Sequence, residues 1–294
     1  MATSHSGRIV VGTDGSDSAL RAALWAAETA RCHGAVLRLV HGYAMPERGY
    51  PRFLVPTRAL RTGLRAQARS ALHTTSEAVR GGVPGTELET RIVEAAPAVA
   101  LLRESRGALM NVVGSRGLGG FSGLLIGSVA MALVAHSRVP TVVVRDELPD
   151  SSARHSLPVL VAVDGSPASS RAVAFAFREA ATRGVSLTAV HVAQGHRSSE
   201  SVLDSERALL SERLAGWSEH HPDVPVERLV LPGHVVRTLL EVAAEGQLLV
   251  VGSRGTEGFP GMLLGSTSRS LVVHAPRSLA VVRPEDEPHG ERFG

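Results

Sequence analysis

The chain is written twice, so any fold proposed for it has to be built from two copies of one unit. The segment RIVVGTDGSDSALRAALWAA from Arg8 recurs as PVLVAVDGSPASSRAVAFAF from Pro158, and NVVGSRGLGGFSGLLIGS from Asn111 recurs as LVVGSRGTEGFPGMLLGS from Leu249. The offset is 150 residues between Asp14 and Asp164 but 138 between Gly114 and Gly252, so the first copy holds about twelve extra residues. They fall around Gly42 to Thr57, where MPERGYPRFLVP reads as loop. A length of 294 residues gives each copy enough chain for a hydrophobic core of its own. The expected domains are residues 1–147 and 155–284. The polar DELPDSSARHSL at 146–157 joins them, and a flexible tail follows at 285–294.

Within each copy, short β-branched runs alternate with longer helical patterns. The first copy predicts strands at Ile9 to Thr13, Val36 to Gly42, Leu88 to Val93, Leu109 to Gly114 and Thr141 to Arg145. Helices are predicted at Asp17 to Cys32, Thr57 to Val79, Pro97 to Arg106 and Ser128 to Ser137. The second copy predicts strands at Val159 to Val163, Leu187 to Val192, Val226 to Leu231, Leu248 to Gly252 and Leu279 to Arg283. Runs such as VVVR and LAVVR are apolar on both faces, as parallel strands covered by helices must be. The fold class is therefore α/β: two tandem five-stranded doubly wound parallel-sheet domains. In such sheets ligands bind beyond the carboxyl ends of the strands, where strand order reverses. With flavodoxin-like order, the loops after strands one and four flank that crevice.

Composition removes several kinds of function. All 31 basic residues are Arg, so no Schiff-base, Walker-A or kinase-type lysine is available. The pI of 9.9 reflects a shortage of groups that titrate above neutrality, since the formal charge is only +3 and the arginines are interspersed with acids. Aromatic residues make up 3%, which does not suit a nucleic-acid surface. The single Cys32 forms no intramolecular disulfide, fits a reducing compartment, and reads as a small core residue of a helix. The N-terminal MATSHSGRIVVGTDGS lacks the apolar stretch of a signal peptide, so a cytoplasmic protein is expected. Gly117 to Ser137 contains no Asp, Glu or Arg, yet its glycines, and Glu257, Pro260 and Arg269 in the matching stretch, argue against a membrane span. HExxH, CxxC and GxSxG are absent, and no catalytic residue stands out.

The candidate site residues cluster in the two switch-point loops. After strand four, Gly114-Ser-Arg-Gly117 is followed by nine residues and Gly127-Ser128; the second copy has Gly252-Ser-Arg-Gly255, nine residues, and Gly265-Ser266. Glycines allow positive φ and close approach, so consecutive amides can form an anion nest. Ser128 and Ser266 stand where helix N-caps are expected, adding the partial positive charge of a helix terminus. Arg116 and Arg254 can pair with phosphate through their planar forks. After strand one, Asp14-Gly-Ser16 and Asp164-Gly-Ser166 offer a carboxylate for a ribose hydroxyl, an exocyclic amine or a divalent cation, or else an ordinary turn. His41-Gly42 and His191-Val192 end strand two, each histidine expected as a satisfied rim residue.

A GxxGx9G(S/T) pattern downstream of a strand ending in DGS resembles the ATP-binding motif of the universal stress proteins, here in tandem form. The resemblance covers about residues 7 to 145 and 157 to 284. It implies a five-stranded flavodoxin-like, adenine-nucleotide α-hydrolase-like fold with ATP, accompanied by Mg2+, at each switch point. Asp14 and Asp164 match the family's adenine and ribose position, and Gly42 and Val192 its adenine-contacting position. Gly114, Gly117, Gly127 and Ser128, with Gly252, Gly255, Gly265 and Ser266, match its phosphate loop. It further implies a pseudo-dimer of the copies with last strands near the pairing surface, association into homodimers, and a sensing or regulatory role with little or slow hydrolysis. The alternatives are a metal-assisted ATP-hydrolysing enzyme and a nucleotide-free dimeric scaffold. The chain departs from the family at Gly42, which predicts a looser first adenine pocket. In the second loop, Thr256-Glu257 replace Leu118-Gly119 and Pro260 replaces Ser122. The GxP pattern is split between Ala95-Ala-Pro97 and Gly233-His-Val235.

Overall fold

A computed structural model of the chain describes residues 7–45, 57–118, 125–145, 156–194, 200–256 and 262–284. The expected loop at 46–56, most of the linker, the tail at 285–294, and Gly119, Ser122, Glu257 and Pro260 lie outside the described residues. In chain order the first repeat runs β1 (Arg8–Gly12), α1 (Asp17–His33), β2 (Val36–Tyr43), α2 (Thr57–Gly82), β3 (Leu88–Glu94), α3 (Pro97–Glu104), β4 (Met110–Gly114), α4 (Ser128–His136) and β5 (Thr141–Val144). The second runs β6 (Val159–Ala162), α5 (Pro167–Arg183), β7 (Leu187–Gln194), α6 (Glu200–His220), β8 (Val226–Gly233), α7 (Val235–Ala243), β9 (Leu248–Gly252), α8 (Ser266–His274) and β10 (Leu279–Val282).

The two five-stranded units are fused into one ten-stranded sheet of order β3-β2-β1-β4-β5-β10-β9-β6-β7-β8. Every pairing is parallel except β5 with β10, which run antiparallel with Val142 opposite Ala280. The last strands thus form the joint, and the four residues of each are fully buried. Within a repeat the order differs from flavodoxin's: β1 sits beside β4, and β6 beside β9, so the reversal falls between the first and fourth strands of each unit. Their loops still flank the crevice. Charged residues gather on the outer strands, where Glu89 pairs with Arg38 at 2.6 Å and Glu227 accepts from Thr188. Charge at a sheet edge discourages further strand addition.

Helices cover both faces. One core packs Trp25, Leu72, Phe177 and Leu214 of α1, α2, α5 and α6 onto Ile9, Val142, Val159 and Ala280; the other packs α3, α4, α7 and α8 onto Val10, Val143, Leu160 and Val281. Both cores cross the joint. α1 starts at a Ser16 cap whose Oγ accepts from Ala19 N, and ends at Gly34 in the left-handed conformation, φ 58°. α5 repeats the device with Ser166 and Gly184. Cys32 is exposed rather than part of the core: the buried stripe of α1 runs through Ala26, Ala27 and Ala30, and position 32 turns out of it.

Where α1 meets α5, the apolar contact encloses a polar cluster. Glu179, 1% exposed, lies 2.9 Å from His33 Nε2 and 2.9 Å from Arg183 Nη2. Arg183 also donates to Thr29 Oγ1 at 3.0 Å and to Gln247 Oε1 at 3.3 Å, and its guanidinium sits 4.8 Å from the Trp25 ring centroid. Burial pushes the Glu179 carboxyl up, but the Arg183 and His33 side chains outweigh it and hold it below its ordinary value of 4.5.

Candidate functional site

A pocket of about 530 Å³ opens between the carboxyl ends of β1 and β4, and a second of about 520 Å³ between those of β6 and β9. Both volumes suit a ligand the size of a cofactor. The first brings together Asp14, Gly42, Gly114, Arg116, Gly117, Gly127 and Ser128, and the second Asp164, Val192, Gly252, Arg254, Gly255, Gly265 and Ser266. All of the candidate residues therefore converge, seven to a pocket.

The glycines work through space. None of Gly114, Gly117, Gly127, Gly252, Gly255 and Gly265 has positive φ; among the described residues of the switch-point loops that conformation belongs to Gly15 and Gly165 of the Asp-Gly-Ser turns. A Cβ on Gly114 would lie 2.6 Å from Ser18 O, and one on Gly252 2.9 Å from Ser169 N, so these two let α1 and α5 close against the sheet. A Cβ on Gly117 would lie 2.4 Å from Asp14 Oδ2, and one on Gly255 2.7 Å from Asp164 Oδ2. Asp14 holds the two loops together, Oδ1 accepting from Ser16 N at 3.0 Å and Oδ2 from Leu118 N at 2.7 Å. In the second repeat Asp164 Oδ1 accepts from Ser166 N at 2.9 Å, and Ser166 Oγ donates across to Arg254 O at 3.1 Å.

The N-caps fall one residue earlier than expected. Gly127 and Gly265 are the caps of α4 and α8, with extended backbones, and Ser128 and Ser266 are the first helical residues. A glycine cap has no side-chain oxygen to offer, so among the described residues the opening amides of both helices meet no capping side chain. The Ser16 and Ser166 caps of α1 and α5 supply one. The unfilled amides face the pocket with the helix dipole behind them.

The opposite walls differ. His191 is satisfied as expected, Nδ1 lying 2.7 Å from Val163 O and Nε2 3.2 Å from Glu206 Oε2. His41 is held less well: it is buried, and among the described residues its Nδ1 meets no partner in good hydrogen-bond geometry, although the Thr13 backbone lies near it. Burial holds its imidazole below the ordinary value of 6.5, while the Thr13 backbone and the Asp14 charge pull the other way. Gly42 does not loosen the first pocket, because the start of α3 fills the space: a Cβ there would lie 2.8 Å from Pro97 Cα. Gly42→Val should cost about 1–3 kcal/mol of stability through that backbone contact, read as a lower denaturant midpoint. Sequence inspection missed Pro97 and Leu101 as pocket walls, and Val202 and Glu206, which α6 adds to the second pocket only. For Glu206 the sequence carries no signal, since a helix acid is ordinarily a solvated one. Arg116 is exposed at the first rim, and Arg254 is half-buried at the second.

Among the described residues no three His, Cys, Asp or Glu side chains are grouped to hold a metal ion, and no helix is long and apolar enough to cross a membrane. What the fold and the pockets define is a duplicated α/β protein with an anion-favouring helix terminus at each switch point. The universal stress protein family model matches residues 5–145 and 157–283, and the chain belongs to that family. A universal stress protein of Mycolicibacterium smegmatis is 40% identical over 290 residues, covering 94% of this chain and 97% of that protein. The crystal structure of a universal stress protein from Archaeoglobus fulgidus covers 94% of this chain and 98% of its own, at 19% identity and TM-score 0.71. A universal stress protein crystallised in complex with cAMP covers 49% of this chain and 99% of its own, at 27% identity and TM-score 0.37.

Proposed function

We propose that the chain is an ATP-binding regulatory protein that takes one nucleotide in each pocket, with Mg2+ carried on the phosphate oxygens. The observation that supports this most is internal to the molecule. In both repeats the helix leaving the Asp-Gly-Ser turn has a serine cap, while the helix that opens the pocket has glycine and leaves its first amides for an outside acceptor. A triphosphate satisfies such amides without a lysine, and this chain has none. On this reading the phosphates lie over Gly114 to Gly117 and Gly127-Ser128, or Gly252 to Gly255 and Gly265-Ser266, with Arg116 and Arg254 at the rims. The base stacks by Gly42 or Val192, and Asp14 or Asp164 faces the ribose. The occupied protein works in the cytoplasm as a homodimer, holding its conformation rather than turning ATP over. Metal-assisted hydrolysis would require Asp14 or Asp164 to position a cation; Asp14 is instead engaged through both oxygens by backbone N–H groups and Asp164 through Oδ1, which favours a turn-holding role for each.

Calorimetric titration with ATP and Mg2+ is expected to give two equivalents per chain. Hydrolysis should fall well below about 1 per second, the lower end of common enzymatic rates. No heat of binding and no rise in unfolding temperature with ATP would remove the proposal, because any ligand that binds the folded state alone must raise its stability.

A further inference from the structure

The two pockets are joined by a pair of arginines that cross between the repeats. Arg145, just past β5, donates from Nη2 to Val273 O at 2.9 Å and to Val272 O, at the carboxyl end of α8 in the other repeat. Arg283, just past β10, donates from Nη1 to Ala135 O at the carboxyl end of α4, and to Leu263 O at 3.1 Å. The same offset of 138 that relates Gly114 to Gly252 relates Arg145 to Arg283 and Ala135 to Val273. The exchange is therefore reciprocal about the β5–β10 joint. A guanidinium is well suited to the place, since the last turn of a helix presents unpaired carbonyls and a partial negative charge.

What makes this more than capping is where the two helices begin. The amino ends of α4 and α8 line the first and second pockets. Leu263 lies two residues before Gly265, the cap of α8, on the returning limb of the second glycine loop, whose end is also fixed by Gly265 N donating to Ser253 O at 2.8 Å. One Nη1 therefore holds both the far end of the helix that opens the first pocket and the loop that opens the second. A nine-residue helix packed against the sheet moves as a rod, so an anion drawing on the amides at one end shifts the carbonyl at the other.

We infer that Arg283, with Arg145 as its counterpart, is a positioning residue that couples the two pockets, so that nucleotide in one repeat tightens the loop of the other. This rests on the nucleotide reading above and adds regulation to it. The test is amide hydrogen exchange in Gly255→Glu, in which only the first pocket is expected to load. ATP with Mg2+ should slow exchange across residues 263–273 about five-fold, the low end of typical coupling between sites. Adding Arg283→Met to that variant should abolish the effect, and Arg283→Lys, which keeps a cation and its donors, should retain part of it. Absence of protection at 263–273 before any arginine is changed overturns the coupling, as does protection that survives Arg283→Met. Residues 126–131 of the first pocket report separately. If ATP does not protect them in the wild-type chain, the nucleotide reading falls and the coupling with it, whereas protection there with none across the joint removes the coupling alone.

Discussion

Gly117→Glu is expected to cut bound nucleotide from two equivalents per chain to one, Gly255→Glu to do the same from the other side, and the double variant to bind none. The effect begins with the β-carbon. At position 117 it would sit 2.4 Å from Asp14 Oδ2, and at 255 it would sit 2.7 Å from Asp164 Oδ2, so the aspartate must move before the rest of the glutamate is placed. In the first repeat that displacement strips Leu118 N of its acceptor and frees the loop from the Asp14 turn. The new carboxylate then stands beside a helix amino terminus that favours anions, occupying the amides or repelling the phosphates. Together these should weaken phosphate binding by about 2–4 kcal/mol, roughly 30- to 1000-fold, enough to empty a site of micromolar affinity. Protein purified without added nucleotide, denatured and chromatographed, gives the stoichiometry directly. Gly114→Ala is the contrasting case: its β-carbon meets the Ser18 backbone, so the loss should appear as lower stability whether or not nucleotide is present. Two equivalents retained in Gly117→Glu would mean that the glycine loop does not carry the phosphates.

The sequence disclosed these glycines by repetition, yet it concealed what each one does. Spacing placed Gly114, Gly117 and Gly127 beside a pocket, because a loop between an apolar strand and an apolar helix can lead nowhere else. It could not tell a glycine that admits α1 from one that admits an aspartate, since both are requirements for empty space set by partners about a hundred residues away. The cap shift from Ser128 to Gly127 has the same origin: propensity favours serine as a cap, but backbone geometry selected its neighbour, leaving the amides open. Strands were legible because continuous valine runs have few other solutions. Their order within a repeat was not, whereas the resemblance did place the last strands near the pairing surface, and there β5 meets β10 antiparallel because two apolar edges need each other. Arg145 and Arg283 looked like strand ends; only the joint between repeats brings each to a foreign helix. Cys32 reads as a core residue by type alone, whereas the buried stripe of its helix ends at Ala30 and leaves position 32 exposed.

Glu179→Ala should cost about 3–5 kcal/mol of unfolding free energy, the amount typical of removing one partner from a buried ion pair. The cost arises less from the lost contact than from what stays behind. Arg183, 11% exposed and held by Thr29, Gln247 and the Trp25 ring, cannot swing into water, so its charge would be left buried without a carboxylate. Glu179→Gln keeps the shape and an acceptor, and should lose about 1–3 kcal/mol, the cost of an imperfectly satisfied buried group. The pH dependence follows from the direction of the shift. Glu179 titrates below its ordinary value of 4.5 in the folded chain, so its stabilisation is fully present above that value and fades as pH falls through the lower folded one. The gap between wild type and Glu179→Ala in urea unfolding should therefore be present above about pH 5 and close as pH falls below it. A gap that widened as pH fell through the carboxylate range below about 4.5 would show that Glu179 folds protonated. His33 ends the helix that begins just after Asp14, and Glu179 lies on the helix that begins just after Asp164, so this cluster ties those two helices together. Glu179→Ala at neutral pH should accordingly lose stability yet still bind nucleotide, since none of His33, Glu179 and Arg183 lines either pocket.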